Sequence, residues 1–265
     1  MASLSKFVLL GMLSVVILGT GHVAFHLYTA FSQNEHVGVL QLVGRNQAAF
    51  NDFQNVANTT TDFNAITDAD IYLIAVNDDA ISPVSKHLEN KKGIVAHTSG
   101  SIAIDALHAV QRPAVFYPLQ TFSKKRAISY HDIPLCLETK YKEDMPVLRE
   151  LAATMSENLH LISSEQRKRL HLAAVFTNNF TNHLYIIGKR LCEEKNLSFD
   201  LLRPLIAETA EKIKLLEPEL AQTGPAKRAD RNVLALQVSQ LNDNHQKRIY
   251  QTISQSILAL YEKKL

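Results

Sequence analysis

Cysteine and net charge are both scarce in this sequence, and each shortage excludes a class of protein. The two cysteines, Cys136 and Cys192, lie far apart without a Cys-x-x-Cys spacing, so neither a disulfide framework nor a metal site is predicted. The formal net charge is only +2 and the basic residues do not alternate with aromatic ones, so nucleic acid is not an expected partner. The 265 residues allow about two domains of a globular, cytoplasmic protein with reduced thiols.

Charged residues are also missing from Phe7 to Phe31, a segment long enough to span a bilayer or to act as an export signal. Two glycines and two histidines interrupt this segment, and its longest uninterrupted apolar part runs only from Phe7 to Leu18. We therefore favour a strand of a cytosolic nucleotide-binding domain over a membrane segment, and a membrane partner is not expected. Residues 1–12 are interpreted as an N-terminal extension of open status.

The segment Val15 to Ala24 reads Val-Val-Ile-Leu-Gly-Thr-Gly-His-Val-Ala, an apolar strand that runs into a Gly-x-Gly-x-x-Ala pattern. In a dinucleotide-binding domain, Gly19 permits the tight turn and Gly21 lets a pyrophosphate approach the backbone. Ala24 lets the following helix pack closely against the strand. The free N–H groups at the start of that helix would face the phosphates.

Strands and helices are predicted to alternate through the first 160 or so residues. The apolar runs are short and end in polar residues, which is typical of a parallel sheet that binds ligands at the carboxyl ends of its strands. The predicted fold class is α/β, a Rossmann-type, mostly parallel sheet with a few extra strands at one edge. After a helix over 24–32, the predicted strands are Val37–Val43, Ile71–Val76, Gly93–Ala96, Ala114–Tyr117, Ile133–Leu137 and Leu159–Ile162.

A carboxylate is missing where a Rossmann domain selects its cofactor, at the end of the second strand. An Asp or Glu at that point binds the ribose 2′-hydroxyl of NAD, whereas an Arg pairs with the 2′-phosphate of NADP. The sequence has Arg45 there, followed by Asn46, while Glu35 and Asp52 fall outside the required position. NADP is therefore the predicted cofactor. The alternative is that Arg45 is an ordinary solvated surface residue.

From Ser163 onward the strands stop and apolar residues recur at helical spacing. The predicted domains are an extension over 1–12, an NADP-binding Rossmann domain over 13–162, and a helical substrate and dimerisation domain over 163–265. A Ser163-Ser164 cap is predicted to start a long helix that reaches about Cys192. Further helices are predicted over Leu201–Leu216, Asn232–Asn242 and Gln246–Leu260.

Polar residues recur along one side of the predicted long helix, where Val175, Asn178, Asn179 and Asn182 follow His171 at spacings of four, seven, eight and eleven. Asparagine is a poor helix former, so its retention suggests hydrogen bonds to a neighbour or a ligand. His171 could shuttle a proton near neutral pH. The alternative is that these side chains satisfy each other or have a purely structural function.

Six blocks of the sequence carry a family resemblance: Ile17–Ala24, Leu73–Asp79, His97–Ser101, Phe116–Phe122, His171–Asn179 and Gln222–Asp230. In these blocks the chain resembles the Rossmann-like NADP oxidoreductases whose C-terminal half is classed as a domain of unknown function. This family is similar in design to pyrroline-5-carboxylate reductase, deazaflavin-dependent NADP reductase and the 3-hydroxyacid dehydrogenases. The resemblance implies a C-terminal domain like that of 6-phosphogluconate dehydrogenase, and a homodimer. The chain lacks the Lys and Asn, four residues apart, of the 3-hydroxyacid dehydrogenases, because it has His171 and Val175.

The resemblance also implies a site in which the nicotinamide lies between the two domains. His171 would be the proton donor and Asn179 would orient a carbonyl, while Pro118, Gln120 and Arg228 would contact an anionic substrate. The implied function is hydride transfer between NADP and a small carbonyl or imine metabolite. The alternatives are a non-catalytic NADP-binding or redox-sensing protein and a membrane-tethered protein. The implied cofactor-binding residues are Gly19, Thr20, Gly21, His22, Val23, Arg45, Asn46, Val76, Asn77, His97, Ser99 and Gly100.

Overall fold

The computed structural model describes residues 12–53, 56 and 58–262, so the predicted extension over 1–12 lies outside the described residues apart from Met12. The chain forms two compact units, Met1–Asn178 and Asn179–Leu265. The first unit contains the sheet and the second consists of helices. Each unit is described by itself below.

Eight strands of the first unit form a single sheet with the order β3-β2-β1-β4-β5-β6-β7-β8. All neighbouring strands are parallel except β6 and β7, which are antiparallel. The order 3-2-1-4-5-6 is that of a Rossmann fold, and β7 and β8 extend it at one edge, as predicted. The short β3 was not predicted. The strands are β1 (Leu13–Leu18), β2 (Val37–Val43), β3 (Thr59–Thr60), β4 (Ile71–Ile74), β5 (Ile94–His97), β6 (Pro113–Pro118), β7 (Leu135–Thr139) and β8 (Leu159–Leu161).

The central strand β1 is buried on both faces of the sheet. Val15 and Ile17 belong to the core on one face, together with Leu27 and Phe31 of the first helix. Val16 and Leu18, which point to the opposite face, belong to the other core. Burial on both faces explains why the apolar run is continuous rather than alternating.

The interpretation of Phe7 to Phe31 as a membrane span is wrong for its described part. Leu13–Leu18 is a strand and His22–Ser32 is a separate helix, divided by the glycine turn. Among the described residues, no helix is long and apolar enough to cross a bilayer.

Nine α-helices occur in the described part of the chain. Predicted helices after residue 200 are confirmed within a few residues at each end. Shorter 3-10 turns cover Gln47–Asp52, Lys86–Leu88, Ile104–Leu107, Lys142–Asp144 and Phe199–Leu202. The helices are α1 (His22–Ser32), α2 (Asp78–Ser85), α3 (Met145–Ala153), α4 (Ser164–Ala174), α5 (Thr181–Glu193), α6 (Arg203–Leu215), α7 (Pro218–Ala221), α8 (Arg231–Ser239) and α9 (Asn244–Glu262).

The predicted cap of the long helix is confirmed. The Ser163 hydroxyl accepts a hydrogen bond from the Gln166 backbone N–H at 3.3 Å, and the Gln166 side chain accepts from the Ser163 N–H at 2.9 Å. This reciprocal pair is a capping box, which satisfies two of the N–H groups that a helix start leaves free.

The long helix is not uniform, however, because Val175–Phe180 has π-helical hydrogen bonding between α4 and α5. The spacing that placed His171 and the three asparagines on one side assumes an unbroken α-helix. That assumption fails across the π segment, where hydrogen bonds span five residues instead of four. The spacing therefore no longer supports a common face for His171 and Asn182, which stays a prediction. Asn178, Asn179 and Asn182 are all exposed.

The division between the two units falls inside this long helix, later in the chain than the predicted boundary at 162–164. The reason is Arg167 in α4, whose buried side chain bonds to residues of β7 and of the loop after β5. The first turns of the helix consequently pack as part of the Rossmann unit. The predicted boundary marks the end of the sheet.

Candidate functional site

The turn between β1 and α1 requires glycine at its first position. Gly19 has φ of +133°, and a Cβ atom there would lie 2.1 Å from the backbone oxygen of Ala75. The Gly19 N–H donates to the Val43 oxygen at 2.8 Å, which ties the turn to β2. Only glycine adopts this backbone conformation without strain and also leaves room for the neighbouring strand.

Gly21 caps the N-terminus of α1 and has open space around it. A Cβ atom at this position would meet nothing within 4 Å. The first hydrogen bond within the helix runs from the Phe25 N–H to the Gly21 oxygen, so the amides before Phe25 have no partner within the helix. No acidic residue lies in the first turn. Free amides at a helix N-terminus form an anion-binding site.

A groove of about 680 Å³ extends from this turn along the carboxyl ends of the neighbouring strands. It brings together seven residues that were predicted to contact the cofactor, from three separate stretches of the sequence. The groove also contains Asp79, in the first turn of α2. The seven predicted residues are Gly19, Thr20, Gly21, Arg45, Asn46, Val76 and Asn77.

Arg45 supplies a free positive charge at the end of β2. Its side chain is exposed, and within the described part of the chain it has no hydrogen-bond or ion-pair partner. The Asn46 side chain is partly engaged, because its oxygen accepts from the Ala48 N–H at 3.0 Å. A guanidinium at this place fits the 2′-phosphate of NADP, with which it can form paired hydrogen bonds.

Two of the predicted pyrophosphate residues lie in the first turn of α1, where only their backbone faces the turn. The Val23 side chain packs against the hydrophobic core. The His22 side chain is exposed, and its Nδ1 accepts a hydrogen bond from the Lys124 N–H at 3.1 Å. Their backbone amides, rather than their side chains, are therefore the groups available to a phosphate.

In the loop after β5, the predicted residues His97 and Ser99 mainly form hydrogen bonds within the loop itself. Burial, with a smaller contribution from the positive charge of Arg167, lowers the pKa of His97 to about 3. Its Nδ1 accepts from the Ser99 N–H at 3.2 Å. The Ser99 hydroxyl oxygen accepts from the backbone N–H groups of Ser101 and Ile102. His97 is therefore neutral at physiological pH and cannot act there as an imidazolium acid.

Gly100 lies against a pair of side chains, Tyr117 of β6 and His171 of α4. The Tyr117 hydroxyl and the His171 Nδ1 are 2.9 Å apart. A Cβ atom at Gly100 would lie 2.5 Å from that nitrogen and 2.8 Å from the Tyr117 ring, so only glycine leaves space for the pair. Burial raises the pKa of Tyr117 to about 12, so the hydroxyl keeps its proton. It can donate to Nδ1 and leave the imidazole proton on Nε2.

Arg167 holds the loop after β5 against α4, and no pattern in the sequence predicts this contact. Its fully buried guanidinium forms an ion pair with Glu138 and donates to the backbone oxygens of Ser99 and Ile102. The Ser164 hydroxyl donates to the same carboxylate at 2.7 Å. A buried arginine cannot be distinguished from a surface arginine by sequence, because only the contacts in the folded chain differ. Sequence analysis also missed Tyr117, although it lies in one of the blocks of the family resemblance, because its contact with His171 forms only in the folded chain.

The other predicted residues are distributed more widely. Pro118 is buried at the end of β6, and the exposed Gln120 folds back so that its oxygen accepts from the Thr121 N–H at 2.8 Å. In the helical unit, Asn179 and Arg228 are exposed. Asp230 caps α8 by accepting from the Val233 N–H, and among the described residues it forms no ion pair with Arg228. A common site for these residues and His171 stays a prediction.

Comparison with known proteins places the C-terminal part of the chain in a known class of domain. Residues 133–257 match the family model described as "Domain of unknown function (DUF2520)". No curated protein sequence matches the chain.

Solved structures match over nearly the full length. A Bacteroides fragilis protein named as an NADP oxidoreductase is 37% identical, with a TM-score of 0.87 over 93% of this chain and 98% of that chain. A Thermotoga maritima protein is 21% identical, with a TM-score of 0.69 over 94% of this chain and 99% of that chain. Plasmodium falciparum pyrroline carboxylate reductase with NADP bound is 13% identical, with a TM-score of 0.56 over 95% and 97% of the two chains. The last two similarities establish the fold alone.

Proposed function

Because the chain belongs to the family of NADP oxidoreductases in which a Rossmann unit precedes a DUF2520 domain, we propose that it binds NADP and catalyses a hydride transfer. Its general class is that of an oxidoreductase. The finer proposal is that the substrate is a small anionic carbonyl or imine metabolite. The observation that carries the proposal is the groove beside the glycine turn, with Arg45, which has no partner among the described residues, at the end of β2.

The residues of the groove fit the chemical groups of NADP. The amides at the start of α1 would bind the pyrophosphate, and the Arg45 guanidinium would bind the 2′-phosphate. Val76 and Asn77, at the start of α2, would contact the ribose. NADP, when bound, supplies the hydride or accepts it, and the protein supplies binding, orientation and the proton.

His171 is the proposed proton donor. Tyr117 holds its ring at Nδ1, so that a proton on Nε2 is available for transfer to a developing alkoxide or amine. We further propose that Asn179 orients the substrate carbonyl or imine, and that Arg228, with Pro118 and Gln120, recognises its anionic group. These substrate-binding functions rest on the resemblance of the corresponding sequence blocks to the family.

The first experiment is a titration of the full chain with NADPH and NADH, followed by nicotinamide fluorescence. We expect NADPH to bind more tightly than NADH. Arg45→Ala should weaken NADPH binding by about 1–3 kcal/mol, because it removes a charged hydrogen bond to the 2′-phosphate, and should leave NADH binding unchanged. Arg149→Ala, at an exposed position on α3, is the matched control. If the wild-type chain binds neither nucleotide, the proposal is wrong.

A second candidate function is a non-catalytic NADP-binding or redox-sensing protein. It is favoured by His171 and Val175, which stand where the 3-hydroxyacid dehydrogenases have Lys and Asn. The two functions differ in the effect of His171→Asn on NADPH oxidation with a panel of small 2-oxo acids and cyclic imines. In an enzyme, the variant binds NADPH normally and loses turnover. A sensor shows no turnover with any member of the panel, before or after the substitution.

We also propose that the protein is a homodimer formed through its helical unit. Among the described apolar residues after Asn178, only Ala226 and Leu241 are buried. Large apolar side chains on α6 and its neighbours are instead exposed, including Leu205 at 63% and Leu215 at 87%. A second copy carries the same apolar surface and can cover it in a two-fold symmetric interface.

A cytoplasmic location is proposed on the basis of the thiols. Cys136 and Cys192 are both free cysteines. Free thiols are typical of a reducing compartment, whereas exported proteins commonly oxidise them. Fractionation of cells after lysis tests this location.

A further inference from the structure

The segment after β6 lies directly against the start of α1, although about 100 residues separate them in the sequence. The Phe122 ring stacks on the His26 ring, with centroids 4.7 Å apart. One turn earlier on the same helix face, the His22 Nδ1 accepts from the Lys124 backbone N–H. His26 is buried and its Nε2 donates to the Ser123 oxygen at 3.0 Å. The backbone of Lys124 is thereby fixed beside the glycine turn.

The Lys124 side chain connects this turn to the region that follows β2. Its ammonium donates to the Thr20 backbone oxygen at 2.9 Å and to the Asp52 carboxylate at 2.5 Å. The Lys124 Nζ lies 6.0 Å from the centroid of the Phe25 ring and 5.5 Å from the centroid of the Phe53 ring. Such rings attract a cation through their faces. Two of the three N–H bonds are therefore used, and the third has no partner among the described residues.

The ion pair between Lys124 and Asp52 determines the net charge beside the Gly19–Gly21 turn. Asp52 is half-exposed, and its carboxylate binds the same Lys124 ammonium as the Thr20 backbone oxygen. Without Lys124, that negative charge would stand unpaired next to the amides at the start of α1. A cofactor with a pyrophosphate and a 2′-phosphate would then be repelled.

We propose that Lys124 is a positioning residue of the dinucleotide site, which neutralises Asp52 beside the Gly19–Gly21 turn, while its bond to the Thr20 oxygen holds the ammonium in place. The cofactor phosphates then meet a surface on which the Asp52 charge is compensated, and two distant parts of the chain build that surface together. This inference rests on the proposed NADP-binding function. It assigns a specific function to the first residue of the basic run Lys124-Lys125-Arg126.

The test is a double-mutant cycle in the full chain, with the dissociation constant for NADPH measured by nicotinamide fluorescence. Lys124→Met keeps the apolar stem between the two rings and removes the charge. We expect it to weaken NADPH binding about tenfold. Lys124→Arg should bind within about threefold of the wild type, because it keeps the charge. Asp52→Asn should bind as tightly as the wild type or more tightly.

The decisive variant is the double substitution Asp52→Asn with Lys124→Met. If Lys124 acts by compensating Asp52, the double variant regains most of the lost affinity, whereas a purely structural ion pair gives no such recovery. Lys125→Met, at the exposed neighbouring position, is the control and should bind normally. Thermal unfolding without ligand confirms that each variant is folded.

Two results would overturn the inference: unchanged binding by Lys124→Met, or a double variant as weak as Lys124→Met. Either result leaves the proposed function intact, provided that the wild type binds NADPH. A wild-type chain that does not bind NADPH overturns both proposals, so the two kinds of failure are distinguishable.

Discussion

At the scale of single residues, three glycines serve different purposes that their shared residue type conceals. Gly19 is required by its positive φ and by the backbone of Ala75. Gly100 has no such φ and is required by the Tyr117–His171 pair packed on it. Gly21 has open space around it, so its own structure tolerates a side chain. We propose that glycine at this position leaves room for the approach of a ligand.

Substitution by alanine separates the last two cases. Gly100→Ala should lower the free energy of unfolding by about 1–3 kcal/mol, because its methyl group overlaps the His171 ring. Gly21→Ala should cost less than about 1 kcal/mol, as expected for alanine at a helix N-cap. It should nevertheless weaken NADPH binding strongly. Urea unfolding and NADPH titration of both variants check the prediction, which is contradicted if Gly21→Ala binds NADPH like the wild type.

His97 should make stability depend on pH. Its pKa is about 3 in the folded chain and near the ordinary 6.5 when unfolded. Below pH 6.5 the unfolded chain binds a proton at this site that the folded chain does not, so stability falls as the pH falls from about 6.5 towards 3. The limiting slope is about 1.4 kcal/mol per pH unit. In urea unfolding between pH 4.5 and 7.5, His97→Asn should show a shallower slope than the wild type. Equal slopes would exclude the predicted shift.

At the scale of elements, helix α4 has defined contacts along its whole length, from its start to its last turn. The Ser163 capping box determines where it begins, and Arg167 attaches it to β7 and to the loop after β5. One turn later, His171 meets Tyr117. Position 171 is therefore defined relative to the sheet by contacts within the Rossmann unit.

Arg167→Met should destabilise the protein by about 3–5 kcal/mol, because it leaves the largely buried Glu138 without its counter-charge. Adding Glu138→Gln should recover part of this loss, since the remaining group is neutral. Lys168→Met, at the exposed next position, should change stability by less than about 0.5 kcal/mol. Urea unfolding of the four chains provides the measurement. A loss no larger than that of Lys168→Met would show that the buried pair is not required.

At the scale of the whole molecule, the two units differ in how completely they bury their apolar residues. The Rossmann unit has a core on each face of its sheet. The helical unit leaves many of its large apolar side chains exposed, although its helices are well formed. Helix stability in proteins comes mainly from packing of apolar faces, which is why we propose a partner surface for this unit.

If a second copy supplies that surface, the wild-type chain should sediment as a dimer at micromolar concentration. Leu205→Glu adds a charge to the exposed apolar surface of α6 and should shift the sedimentation coefficient towards that of a monomer. Glu208→Gln, an exposed position on the same helix, is the control and should remain dimeric. A monomeric wild type would contradict the proposal.

The sequence by itself determined the sheet and the glycine turn, because both depend on local patterns. Apolar runs with polar ends predicted seven of the strands, and the Gly-x-Gly pattern with Arg45 predicted the groove and its cofactor. The same local reasoning failed at the π segment, where a change in hydrogen bonding leaves no mark that spacing can detect.

Only the tertiary structure decided which polar side chains act together. Lys124 and Asp52, Tyr117 and His171, and Arg167 and Glu138 are each brought together from distant positions. None of these pairs has a characteristic spacing, because the fold rather than the local chain path sets their separation. The local pattern therefore predicted where the cofactor phosphates would bind, and the folded chain determined which charged side chains lie together.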